Sequence, residues 1–98
     1  MLFIRLCIDK PGTGELREKI KPDHYAYFKP ARESGAKVRM AQGGPICKSD
    51  TDSASIASFM VLEAETLEDA VNFHENDPFT KAGLYETSYV HRWDRHFN

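Results

Sequence analysis

A ferredoxin-like α+β sandwich, in the order βαββαβ, is predicted by three features of this 98-residue chain. The first residues alternate with a period of two. Two stretches of helical period flank a pair of strand-like segments. The second helical pattern stops at Asp77-Pro78, just before a last alternating run. At this length the pattern leaves room for one domain, residues 1–98. It forms a four-stranded antiparallel sheet with both helices on one face.

Leu2, Ile4, Leu6 and Ile8 alternate with Phe3, Arg5 and Cys7, so the first strand carries one wholly aliphatic face. The turn residues from Asp9 to Gly14 end it. Glu15 to about Ser34 reads as helix, with Leu16 and Ile20 one turn apart and Tyr25, Phe28 and Ala31 extending the apolar stripe. Pro22 fits a first helical turn. Pro30 predicts a kink or break near Phe28 and Lys29. Gly35 serves as the stop. Lys37 to Gln42 is a second strand, ended by Gly43-Gly44-Pro45. Lys48 to Ser55 reads as a polar loop, and Ala57 to Ala64 as the third strand. Thr66, with Asp69 three residues on, has the form of a helix cap. Leu67, Ala70, Val71 and His74 share a face of the second helix. Asp77, placed before a proline, is biased out of the helical region. Glu86 to Trp93 is the last strand. With both helices on one face, residues such as Phe3, Cys7 and Tyr89 are expected on the bare one, which a second copy of the chain would cover.

Composition excludes several function classes. The chain is 41% hydrophobic and 29% charged, with a net charge of -2 and both signs intermixed. Nucleic-acid binding needs a concentrated basic stripe, which is missing. No apolar run reaches membrane-spanning length, and the short N-terminal run lacks the marks of a signal peptide. Cys7 and Cys47 then read as free thiols of a reducing, cytoplasmic compartment. The four histidines lack the spacing of a metal site.

The topology brings three distant segments to one edge of the sheet: His24 in the opening turns of the first helix, Gly43 to Pro45, and Asp77 to Phe79. An imidazole held by a carboxylate has its tautomer and orientation fixed and works as a general acid or base near neutral pH. A nearby helix N-terminus would favour the neutral ring. Gly43, Gly44 and Pro45 allow close backbone approach. Tyr25, Phe28 and Phe79 supply apolar walls for a small, cyclic substrate. Ser58, at the head of the core run of the third strand, is a further candidate for facing the pocket.

Lys21-Pro22-Asp23-His24, Gly44-Pro45, Ser58 and Asp77-Pro78-Phe79 followed by Ala82-Gly83 and Tyr85 resemble the YciI-like (YCII-related) family over nearly the whole chain. The resemblance implies a dimeric ferredoxin-like α/β barrel, similar to muconolactone isomerases, with an active site of a His and an Asp that carry over to His24 and Asp77. Dehydrochlorination of a chlorinated hydroxyquinone is an activity associated with the family. Pro30 and the polar stretch Cys47 to Ser55 depart from its pattern.

Each residue also has a plainer role. His24 suits a solvated helix face, Asp77 a turn, and Gly43 to Pro45 a hairpin break. His74 suits a buried structural position, His91 and His96 interface or solvent, Cys7 packing, and Arg39 the surface. The expected activity is that of a cofactor-independent lyase or isomerase working through His24 and Asp77. One alternative is a non-catalytic dimeric module binding a small molecule or a protein. Another is a relative of the dimeric α/β-barrel oxygenases, which would retain haem or flavin.

Overall fold

The computed structural model describes residues 1–98. Its elements are β1 (Leu2–Asp9), α1 (Gly14–Phe28), a 3-10 turn (Pro30–Arg32), β2 (Arg39–Ser49), β3 (Asp52–Glu63), α2 (Leu67–Glu75), α3 (Pro78–Lys81) and β4 (Tyr85–Trp93). The four strands form one antiparallel sheet in the order β2-β3-β1-β4. This is the ferredoxin-like arrangement expected of the sequence.

β1 lies the other way over. Phe3, Arg5 and Cys7 are buried and share a face with Leu62, Met60 and Ser58 of β3. That face lies under the helices, where Phe3 and Leu62 join Phe28 and Ala70 in the core. Leu2, Ile4, Leu6 and Ile8 point to the open face, beside Phe59 and Tyr89, which are 39% and 46% exposed. The expectation that Phe3 and Cys7 sit on the bare side is therefore corrected, whereas Tyr89 does sit there. The reason is Arg5: its partners come from α2 and the turn after it, and the strand rotates to reach them.

β2 and β3 run further than expected. Gly43-Gly44-Pro45 does not end the strand; it pairs with Met60, Phe59 and Ser58 inside β2. β2 is an edge strand, where proline's missing N–H is tolerated. Residues read as a polar loop, Lys48 to Ser55, instead form the tip of a long hairpin that passes the end of β1, whose pairing with β3 stops at Ala57.

α1 begins at Gly14, so Pro22 lies in its interior rather than its first turn. The helix forgoes the hydrogen bond from position 22 to the Glu18 carbonyl. The break after Phe28 falls where Pro30 predicts it. Thr66 caps α2, its hydroxyl accepting from the Asp69 N–H at 3.1 Å. The chain leaves α2 at Asp77 but immediately starts a further turn, α3, with Asp77 as its cap, Pro78 at its first position and Gly83, at φ 74°, closing it.

Candidate functional site

The site grows from the Asp77-Pro78 step. Asp77 takes an extended conformation (φ -62°, ψ 130°), and its Oδ1 accepts the Phe79 N–H at 3.0 Å. This cap turns the carboxylate inward, where it is fully buried. The same Oδ1 lies 2.7 Å from His24 Nδ1. Oδ2 accepts from Arg5 Nη2 at 2.5 Å and from the Tyr85 hydroxyl at 3.3 Å. Burial alone would raise the Asp77 pKa. The His24 hydrogen bond and the Arg5 charge outweigh it and hold the carboxyl below its ordinary value.

His24 lies in the C-terminal half of α1, not in its opening turns, so the helix N-terminus does not act on it. It is buried, with its ring stacked on Phe79 at 3.9 Å between centroids and 14° between planes. Phe28 packs against it at 4.5 Å. With Nδ1–H donated to the carboxylate, Nε2 makes no protein hydrogen bond and keeps its lone pair as an acceptor.

A cavity of about 560 Å³ opens over His24. His24, Tyr25, Phe28, Gly43, Gly44, Pro45, Ser58 and Phe79 all line it, whereas Asp77 stands behind the imidazole. The segments therefore meet, but across the helix-covered face of the sheet at mid-strand, not at an exit turn on its edge. The inward stripe of α1, namely Gly14, Arg17, Lys21, His24 and Phe28, faces this cavity, and that explains why a 15-residue helix buries only two side chains.

The parts played by Arg5, Tyr85 and Arg17 escape sequence reasoning. Arg5 bonds Asp77 and also donates from Nε to His74 Nδ1 at 2.8 Å. Its signal was a lone charge in the middle of an apolar strand, facing the same way as Phe3 and Cys7. His74 does hold the buried structural position expected of it, and burial followed by the Arg5 charge depresses its pKa to about 4. Tyr85 borders Asp77, and burial raises its pKa. Arg17 forms a two-pronged pair with Asp9, at 2.8 and 3.0 Å, and donates to Ser58 Oγ at 3.0 Å. Nothing in local spacing marks these pairings, which cross between elements: Arg5 to Asp77 and His74, Arg17 to Asp9 and Ser58, and Tyr85 to Asp77.

The remaining candidates take plainer roles. Arg39 meets Glu63 at 3.4 Å on the surface. Cys7 is a buried thiol whose pKa burial raises, and Cys47 is exposed and free. His91 and His96 are exposed. No helix is long and apolar enough to cross a membrane.

Fold and site together define a ferredoxin-like α+β protein with a buried Arg–Asp–His cluster behind an aromatic-walled cavity. The chain belongs to the YCII-related domain family, whose model matches residues 1–94. It is 30% identical to Protein YciI of Escherichia coli O6:H1 over 90 residues, covering 88% of this chain and 89% of that protein. Among solved structures it resembles the 5-chloro-2-hydroxyhydroquinone dehydrochlorinase TftG from Burkholderia phenoliruptrix, in complex with 2,5-dihydroxybenzoquinone. The identity is 38% and the TM-score 0.84, over 96% of this chain and 94% of that one. An uncharacterized NIPSNAP domain protein from Burkholderia xenovorans shares the fold alone, at 14% identity and TM-score 0.51, over 100% of this chain and 98% of that one.

Proposed function

We propose that this protein is a cofactor-independent lyase that eliminates a small acid, such as HCl, from an oxygenated six-membered ring. The observation that carries the reading is the 2.7 Å contact between His24 Nδ1 and the buried Asp77 carboxylate, with the imidazole bordering the cavity. The likeness to TftG supplies the substrate class.

In this reading Asp77 fixes the tautomer and stabilises the imidazolium that forms. His24 Nε2 takes a proton from a ring hydroxyl and returns it to the carbon bearing the leaving group. A second hydroxyl then loses its proton as chloride departs with the bonding pair. Two O–H protons are lost, one C–H bond forms and one C–Cl bond breaks, so the ring loses HCl overall and becomes a quinone. Phe28 and Phe79 hold the ring flat, and Gly43 lets it approach the β2 backbone.

Chloride release from 5-chloro-2-hydroxyhydroquinone tests the reading. Wild-type protein is expected to release chloride well above the buffer rate, and His24→Ala to lose about 10²- to 10⁴-fold of that rate while remaining folded. Release no faster than buffer, or an unimpaired His24→Ala, overturns it.

We also propose that a second copy covers the open sheet face. The aliphatic row Leu2, Ile4, Leu6 and Ile8 with half-exposed Phe59 and Tyr89 supports this. Sedimentation equilibrium at micromolar concentration is expected to give a dimer; a monomer there rejects it.

A further inference from the structure

We infer that Arg17 is the substrate-anion receptor of this cavity, so that the ring bound opposite His24 is an enolate or phenolate rather than a neutral molecule. This rests on the placement of the reaction at His24 and deepens it by naming the charge state of the substrate.

Arg17 and His24 are seven residues apart on α1, two turns along the same face, and both line the cavity. Both reach the same Phe79 ring. The imidazole stacks at 3.9 Å from its centroid, and the guanidinium carbon lies 4.8 Å from it. The two groups therefore border one cavity from neighbouring positions around a single aromatic ring.

The guanidinium is held as a receptor must be. Asp9 takes Nε and Nη2 in a two-pronged pair, and Ser58 Oγ takes a further Nη2 hydrogen. The side chain is only 11% exposed, so its rotamers are already fixed before a ligand arrives. Nη1 makes no protein hydrogen bond, which leaves donors free. Burial pulls the Arg17 pKa down, but the Asp9 hydrogen bonds and charge outweigh it, and the group stays cationic.

Asp9 balances the charge, so the receptor does not behave as a bare cation. It offers directed N–H donors beside Phe79, Phe28 and Met60, in a wall that also carries Glu18 and Lys21. An enolate oxygen meets a charge-assisted hydrogen bond there, while an ether oxygen meets an ordinary one. Bound at Arg17, such an anion has its remaining hydroxyl directed along α1 toward His24.

The experiment compares two probes at neutral pH by isothermal titration. One is 2,5-dihydroxybenzoquinone, an anion under those conditions, and the other is its uncharged dimethyl ether. Wild-type protein is expected to favour the anion by about 10- to 100-fold. Arg17→Met abolishes that preference, and Arg17→Lys keeps part of it. Removing Arg17 strands a buried Asp9 carboxylate, so the double variant Arg17→Met/Asp9→Asn repeats the measurement without the unpaired charge. A folded Arg17 variant with undiminished preference, or a wild type with none, overturns the inference. His24→Ala separates it from the proposed reaction, because it loses chloride release but keeps the preference. Preference lost with Arg17 while His24→Ala still turns over would leave the receptor standing and remove the reaction.

Discussion

Arg5 and Asp77, seventy-two positions apart, form an ion pair with no exposed surface on either side chain, Nη2 to Oδ2 at 2.5 Å. Arg5→Met leaves that carboxylate buried with its charge uncompensated. A loss of about 3–5 kcal/mol is expected, read as a lower urea midpoint. Arg5→Met/Asp77→Asn removes both charges and is expected to be clearly less destabilised than the two single changes added together. Simple additivity would show that the pair is not coupled.

Asp77→Asn keeps an oxygen for the Phe79 N–H but loses the negative charge facing His24. The expected result is a drop in chloride release of about 10²-fold or more, with a smaller stability loss than Arg5→Met. Unchanged turnover in a folded Asp77→Asn would reduce the contact to a structural tie between α1 and α3.

Acid sensitivity follows from His74. Its pKa falls from 6.5 to about 4 because burial and Arg5 disfavour the imidazolium. A histidine depressed in the fold contributes stability that is whole above its unfolded pKa and lost as pH drops through the folded one. Up to roughly 3 kcal/mol is therefore lost between pH 6.5 and 4. The depressed Asp77 acts in the same direction at lower pH. His74→Gln keeps an acceptor for Arg5 Nε and is expected to flatten the pH dependence in that window. An equally steep melting-temperature profile would assign the effect elsewhere.

The adjoining glycines of β2 separate cleanly. A methyl group at Gly43 would meet Met40 Sδ at 2.9 Å and Met60 Cγ at 3.1 Å, whereas Gly44 has nothing within 4 Å. Both methionines can swing, so Gly43→Ala is expected to cost no more than about 1.5 kcal/mol while narrowing the cavity and weakening ring binding. Gly44→Ala leaves both nearly unchanged. Equal effects from the two would contradict the register of β2.

Several features were legible along the chain. Asp77-Pro78 announces its own exit from α2, Pro30 the end of α1, and Thr66 the start of α2. His24 and Asp77 do come together, but over mid-strand from the second half of α1, not at the sheet edge where an opening-turn position for His24 puts them. Misreadings arose where local chemistry competes with a distant partner. Leu2, Ile4, Leu6 and Ile8 form the more hydrophobic row, yet Arg5 carries its own row inward because its charge is compensated there. Gly43-Gly44-Pro45 has the composition of a break, but an edge strand accommodates it. Lys48 to Ser55 shows no alternation because the hairpin tip pairs beyond the end of β1, where no core lies beneath it.

Asp77 fastens α3, neutralises Arg5 and steadies His24 with one pair of oxygens. Variation at this position is therefore felt by the whole molecule at once. The rim at Tyr25 and the hairpin tip at Ser53 and Ala54 is exposed and free of such duties. Change in this molecule is consequently tolerated at its doorway rather than at the buried cluster behind it.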